Sequence, residues 1–440
     1  MFFALPLQLN AQHDLTLYNF SPVPQRIYEN PAFIPEQKVY VGLPLLSGIR
    51  SSFANPFSYH RVLSRTEDDS LNFEADAMIK SFLKNPRIRL NETIDILSVG
   101  TQIAQGKFFL NFGVRQRFTA ETYIPAELLD LVIYGNTAPQ LFGKVVNISP
   151  SVNATLFDEY SVSFSGRAME NKLTFGVNVK YLSGRINVSS KKTKMELYTD
   201  SKDYKMFLRS DLEINSSGMD QIDKYFSQPV TNLVFPKNHG FGIDLGATYL
   251  INEKIRVNAA VLDLGFIKWK TNTLKWISHN PGSEVQYSGM NLHDFVKAFD
   301  DPGGFGKEVL DSVSNLVKID SVYGGKYITY LPTRFNIGGV YTLDPHNCLS
   351  IVYDGISCAH HLSSAFGLSY TYTLKNFLGL TASYNIFNRQ YWNFGGGINL
   401  KAGPIQLFII SDNVPGLIIW KSTNNASIYF GINISIYQKS

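Results

Sequence analysis

His346, Cys348, Cys358, His360 and His361 gather imidazole and thiol groups of the kind that bind transition metals into one short stretch of the chain. Their spacing separates them again. Residues 347 to 358 alternate as a single strand, so the two thiols stand ten residues apart, which is about 33 Å at ~3.3 Å per residue. A disulfide needs Cα atoms within about 7 Å, and one ion needs its ligands around one small sphere. His361 and Ser363 raise a second option, a hydroxyl activated by an imidazole, but they sit side by side on one strand face with no group to orient the ring. No nucleophile motif of known mechanics accompanies them. The sequence thus offers no catalytic residue, no cofactor-binding residue and no metal-ligand set, and the chain reads as a non-enzyme. The remaining charges of interest are Arg115, Arg117, Asp244, Arg256, Arg334 and Asp354, each on the small-residue parity of an alternating segment. Both signs occur, which favours anchoring of an N-terminal hatch over an ion-selective path, where one sign would dominate.

What positions these charges follows from composition and periodicity. The 440 residues are 44% hydrophobic, 13% aromatic and only 17% charged, with a formal net charge of +4. Average globular chains carry about 25% charged residues, so disorder and a basic nucleic-acid-coating surface are both excluded. No run of about 18 uninterrupted apolar residues exists, which excludes a transmembrane helix. Strands remain. Leu362, Phe366, Leu368, Tyr370, Tyr372 and Leu374 share one parity, and Ser363, Ala365, Gly367, Ser369, Thr371 and Thr373 share the other. Period two is the strand period. The polar parity is small and uncharged, whereas a solvated sheet face would carry Lys and Glu. Gly, Ser, Thr and Asn inside with an apolar face toward lipid is the pattern of a membrane barrel.

The same reading predicts strands at 38 to 54, 93 to 104, 107 to 122, 144 to 166, 172 to 188, 238 to 250, 254 to 269, 331 to 343, 347 to 358 and 404 to 412, plus four ending near 374, 386, 400 and 436. The expected fold is all-β, a closed antiparallel transmembrane β-barrel of about fourteen strands. Phase slips near Tyr181-Leu182 and Val261-Leu262 read as bulges. Aromatics near strand ends, Tyr372, Tyr384, Tyr391, Trp392 and Tyr437, fit interfacial girdles. Short turns alternate with longer links at 55 to 92, 123 to 143, 189 to 237 and 270 to 330, so the expectation is periplasmic termini and extracellular links bearing helices. Those helices are expected at Pro125 to Gly135, Asn291 to Phe299 and Lys307 to Lys318. Residues 1–11 read as the apolar part of a secretory signal whose basic region lies upstream, cleaved after Ala11. Residues 12–37 read as a periplasmic tail and lumen hatch, and 38–440 as the barrel. In the hatch, Phe20, Ile27, Tyr28, Phe33 and Ile34 are the anchors. Arg26 and Glu29 are expected to pair with Asp354 or Arg115, Arg334 with Asp354, and Asn30-Pro31-Ala32 to turn the chain into the wall.

Several short motifs carry a resemblance. Pro24-Gln25 with Asn30-Pro31-Ala32-Phe33-Ile34-Pro35 and Val39 to Pro44 resembles the opening of Bacteroidota outer-membrane barrels, some of them grouped as a family of unknown function. Gly242 to Gly246, Asp263 to Trp269 and Ser411 to Gly416 are similar to segments of the same barrels, which include type IX secretion-associated members. Asn30-Pro31-Ala32 and Leu331 to Gly338 resemble elements of the long-chain fatty-acid transporter superfamily, which implies fourteen strands with a luminal hatch. Tyr429 to Ile436 resembles the C-terminal signal read by the barrel assembly machinery. The resemblance implies an outer-membrane location, with lipid around the wall. Two functions follow as expectations. The leading one is a structural or accessory component of an outer-membrane assembly or secretion complex, with protein partners in the outer membrane or periplasm. The alternative is a gated channel for hydrophobic small molecules; a barrel enzyme is a distant third.

Overall fold

Period-two alternation closes one sheet on itself. The computed structural model describes residues 14–65, 71–219, 238–287, 319–358, 361–375, 377–387 and 390–437. Fourteen antiparallel strands form the wall. They are β1 (Gln37–Gly42, continued by Gly48–Ala54), β2 (Arg87–Ile103), β3 (Phe108–Tyr123), β4 (Ser151–Ala168) and β5 (Leu173–Thr199). Then come β6 (Asn238–Leu250), β7 (Ile255–Trp269), β8 (Tyr327–Tyr330, continued by Thr333–Asp344), β9 (Asn347–Cys358) and β10 (His361–Leu374). The wall ends with β11 (Leu378–Phe387), β12 (Gln390–Ala402), β13 (Ile405–Ser411) and β14 (Asn425–Tyr437). Closure is made by β14 against β1, with Gln37 opposite Tyr437 and Ile49 opposite Phe430. Both of those ends, and the turns after β2, β4, β6, β8, β10 and β12, lie at one rim, here the near rim; the longer links leave from the far rim.

Parity separates two environments. On β10, Leu362, Phe366, Leu368 and Tyr370 face out at 47, 38, 47 and 44% exposure, while Ser363, Ala365, Ser369 and Thr371 are buried. The outward surface is an apolar belt suited to hydrocarbon, and the inward one is small and polar. No helix among the described residues is long and apolar enough to cross a membrane.

The strands depart from the expected ones where charge or geometry intervenes. The predicted strand 38 to 54 is broken at Leu43–Ser47, where Leu45 takes φ 66° and the detour stays bonded to Ile96 and Ile432. The segment 144 to 150 is not part of the wall. Val145–Asn147 pairs with the far end of β5, and β4 begins at Ser151. β2 begins six residues earlier than predicted, at Arg87, because its inward charges, Arg89 and Glu121 opposite it, satisfy each other at 2.5 Å. The bulge expected at Tyr181-Leu182 falls at Arg185, and that near Leu262 lies at Leu262–Asp263. β5 continues to Thr199, into the stretch predicted as a link. There it pairs with Met206–Ser217, which pairs in turn with Thr273–Ser278 and Glu284–Tyr287. This sheet projects beyond the far rim around Ile148, Met195, Leu197, Met206, Leu208 and Leu212. Its Lys191, Lys192, Glu213 and Asp211 pair at the surface, as befits a water-facing sheet.

The two longest helices described in the far-rim links are α1 (Ala75–Lys84) and α2 (Ala126–Tyr134), beside single turns at Tyr59–Val62 and Val414–Ile418. α1 lies within the predicted link 55 to 92, and α2 follows Pro125 and stops at Gly135, φ 79°. They pack through Ile79, Phe82 and Ala126. The expected signal remnant 1–11 and the expected helices at 291 to 299 and 307 to 318 lie outside the described residues. So do His360 and the side chains of Cys358 and His361.

Candidate functional site

Residues 14–36, which precede β1, lie inside the barrel. Pro22, Pro24, Pro31 and Pro35 cannot all serve a ladder, so this segment adds no strand and is held by side chains. Leu15–Asn19 forms one helical turn and Pro24–Tyr28 a 3-10 turn, both almost wholly buried. Leu15, Tyr18 and Phe33 pack on Val352, Ala365 and Phe387. Leu17, Phe20 and Val23 pack on Phe408, Ile410 and Tyr429, and Ile27 and Tyr28 on Tyr40 and Phe109. Asn30-Pro31-Ala32 does not turn the chain into the wall, which it joins only at Gln37. It lies against β5 and β6, where a Cβ on Gly176 or Gly246 would come within 2.1 Å of Pro31 or Asn30. Close backbone approach explains both glycines. The Asn30 side-chain oxygen accepts from Ala32 N at 2.9 Å, its amide donates to Ala259 O at 3.3 Å, and Ser165 Oγ donates to Pro31 O at 2.6 Å.

Glu29 marks the centre of the lumen. Arg50 on β1 reaches one of its carboxylate oxygens at 3.2 Å, and Arg334 on β8 reaches the other at 2.8 Å. These strands are seven apart in a fourteen-strand wall, so the two arginines come from opposite sides and meet on one carboxylate of the luminal segment. Arg50 also pairs with Asp14, and Arg334 with Asp354 on β9 at 2.9 Å. Asn336 donates to the Glu29 carbonyl at 2.9 Å. Burial alone would push the Glu29 carboxyl up, but the Arg334 and Arg50 guanidiniums outweigh it and hold the group below its usual range. At Asp14 burial wins, and its carboxyl lies above the usual range.

A second charged arc belongs to the wall. Arg115 pairs with Glu159, and Arg117 with Glu159 and Asp263 at 2.9 Å each. Lys180 pairs with Asp244 and Asp263 at 2.7 Å each. The two-residue bulge opposite Asp244 puts Asp263 at φ 59° and turns its carboxylate inward. Without that bulge Asp263 would carry its charge to the lipid side.

The predicted site residues therefore divide into three groups. Arg334 and Asp354 meet each other and Glu29; Arg115, Arg117 and Asp244 meet in the wall arc; Arg256 forms no ion pair among the described residues. The expected pairing of Glu29 with Arg115 does not occur: Arg115 lies on Glu159, with its guanidinium 3.9 Å from the Tyr28 ring centre. Arg26 pairs with neither Asp354 nor Arg115; its guanidinium stacks 4.0 Å over Phe33. Sequence reasoning missed Arg50, Glu159, Lys180 and Asp263. The first three share the inward parity and could have been counted there, whereas Asp263 is legible only through its bulge. Among the described residues, two surface cavities flank the barrel's ends. One of about 340 Å³ lies at the β7, β8 and β9 seam beside Leu331 and Pro332, and one of about 190 Å³ at the near rim beside Pro22 and Glu36.

A family model described as a family of unknown function, DUF5723, matches residues 31–412, from the Pro31 turn to the end of β13. The chain belongs to the DUF5723 family. No curated protein matches it. Among solved structures, this DUF5723 barrel is similar to the Ralstonia pickettii toluene transporter TbuX, at 11% identity over 97% of this chain and 100% of that one, TM-score 0.43. It is similar to the CymD monoaromatic hydrocarbon channel at 10% identity, over 96% and 99% of the two chains, TM-score 0.41. A Pseudomonas aeruginosa FadL homologue aligns at 9% identity over 97% and 98%, TM-score 0.39.

Proposed function

We propose that this barrel is a gated conduit of the outer membrane, with residues 12–37 as a hatch, the near rim in the periplasm and the far rim outside. The observation that carries this reading is the Arg50–Glu29–Arg334 bridge across the lumen. The wall's ladder closes through β14 and β1 without any strand from the hatch. The hatch can therefore leave without opening the sheet, and what holds it is its apolar packing on the wall together with the ion pairs of one central carboxylate. Such a latch has two discrete states, docked and released. A hydrophobic small molecule is the solute this reading favours. At the far rim α1 and α2 present Leu83 and Tyr134, 64 and 45% exposed, above their shared apolar contact. The β7–β8–β9 crevice adds Leu264 and Leu331 to an apolar approach.

A tether tests the proposal. Pro31→Cys with Ser165→Cys, in a chain with Cys348 and Cys358 replaced by Ser, should lock the hatch when oxidised. Entry of an apolar dye into cells carrying the reduced form should exceed that into cells carrying the oxidised form. Equal entry would overturn the gated reading.

A second reading, an accessory component of an assembly or secretion complex, is favoured by the projecting sheet of β5 and Met206–Ser217, which adds a charged surface that no conduit needs. Replacing residues 192–213 by a short turn would then abolish co-purification of an outer-membrane partner while leaving dye entry unchanged.

A further inference from the structure

Three arginines gather at the periplasmic mouth whose side chains make no hydrogen bond or ion pair among the described residues: Arg26 of the hatch, Arg167 near the end of β4 and Arg256 near the start of β7. Arg167 shares the inward parity of the buried Ser161, Ser163 and Ser165, and Arg256 that of the buried Asn258 and Ala260; at the rim itself Arg167 is half-buried and Arg256 exposed. The register places them along one row of the wall. Arg167 lies opposite Thr174, Thr174 opposite Thr248, and Thr248 opposite Asn258, two residues from Arg256 toward the rim. At about 4.8 Å per strand the two arginines stand roughly 14 Å apart across the strands, both on the inward parity at the near rim. Arg26 approaches this row from the hatch: its guanidinium lies over Phe33, whose ring meets Tyr18 edge-on at 5.1 Å, and the Tyr18 hydroxyl donates to Asn258 Oδ1. Burial and the neighbouring Arg256 charge push the Arg26 guanidinium down to about 10, and Arg167 lies within electrostatic reach of Arg256.

Two further groups at this place are incomplete. The Nε of Arg26 is buried and has no hydrogen-bond partner among the described residues. Thr248, 7% exposed, lies between Arg167 and Arg256 in the row, and its Oγ1 is likewise buried and without a partner among them. Buried polar atoms of this kind call for a partner, and an ion or a water can supply it. Glu36 lies alongside, exposed to solvent, and pairs with none of the three among the described residues. Like charges held together in this way repel unless an anion sits between them.

We infer that Arg26, Arg167 and Arg256, with the Thr248 hydroxyl, form a site for a phosphate group at the periplasmic mouth that ties the hatch to the wall. Three guanidinium groups exceed what a single carboxylate can neutralise. A tetrahedral phosphate with up to two charges and several acceptor oxygens matches forked N–H donors arriving from three directions. One of the three donors belongs to the hatch and two to the wall, so an occupied site adds a bridge at the rim that Glu29 supplies at the centre. The binding stands apart from conduction and is measured without it.

The experiment is calorimetric titration of sodium phosphate into the full chain in neutral detergent, with sodium chloride at equal ionic strength as the reference. It is run beside a measurement of phosphatidylglycerol retained after delipidation. Saturable phosphate binding, weakened at least tenfold in Arg26→Gln and Arg256→Gln, supports a site for a free phosphate. Phosphatidylglycerol retained by the unaltered chain and lost in the same variants supports a lipid headgroup as the source. Absence of both in the unaltered chain overturns the site, whatever the variants do. Binding that persists at full strength in both variants overturns it as well. Correct folding of each variant is read from the heat-dependent shift of its gel band.

Discussion

Glu29→Gln is the sharpest perturbation of the latch, because it keeps the shape of the side chain and removes only its charge. Glu29 is 1% exposed and holds Arg50 and Arg334, which come from opposite walls. Breaking a buried ion pair by removing one partner costs about 3–5 kcal/mol. Here each arginine keeps a second carboxylate, Asp14 for Arg50 and Asp354 for Arg334, and the Glu29 carbonyl keeps Asn336. The lower end, about 3 kcal/mol, therefore applies. At about 1.4 kcal/mol per tenfold, that shifts the docked-to-released ratio roughly 150-fold. The assay is the open fraction of single channels in planar bilayers, recorded for both proteins after their gel bands show equal folding. The open fraction should rise by about two orders of magnitude. An unchanged open fraction in folded protein would refute the claim that this carboxylate holds the hatch.

Other consequences are as direct. Gly176→Val places methyl groups where Pro31 already lies within 2.1 Å of an added Cβ; overpacking of this kind costs about 1–3 kcal/mol, and protease cleavage of the hatch from the near rim should accelerate while the wall stays intact. Lys180→Met leaves Asp244 and Asp263 facing each other without their shared cation, at a cost of about 3–5 kcal/mol, and should lower the temperature at which the folded gel band disappears. Ile351→Arg puts a charge on the outward face of β9, where Ile351 is 44% exposed; at about 2–4 kcal/mol near mid-depth, it should reduce the fraction of assembled barrel, read as the band resistant to SDS before boiling.

The wall was legible because lipid and lumen impose opposite demands on alternate residues, and β6 and β9 begin and end at the predicted residues for that reason. The projecting part of β5 was not, since Lys191, Lys192 and Lys194 disrupt the apolar-small alternation once a strand leaves the membrane for water. The break in β1 was hidden because Leu43-Pro44-Leu45-Leu46 is as apolar as a strand, and only its φ values reveal the detour. Inward charges could be named from parity, and Arg334 with Asp354 could be paired across the short turn that joins their strands, but partners across the lumen could not. Pairing across a lumen joins residues as distant in sequence as Glu29 and Arg334, and no local pattern reports which strands lie seven places apart. Asn30-Pro31-Ala32 was visible as a turn, and its position depends on Gly176 and Gly246, two strands whose approach the sequence does not disclose.

The central claim, that a separable hatch closes an otherwise open lumen, is tested most directly by single-channel conductance of the chain lacking residues 13–29, with residues 1–12 and the wall retained. The intact protein should be nearly closed, and the shortened one should show stable steps well above it, because the wall completes its ladder through β14 and β1 without the missing residues. A folded, heat-modifiable deletion protein that conducts no better than the intact one would show that side chains of the wall or the far-rim links fill the lumen, and would contradict the account.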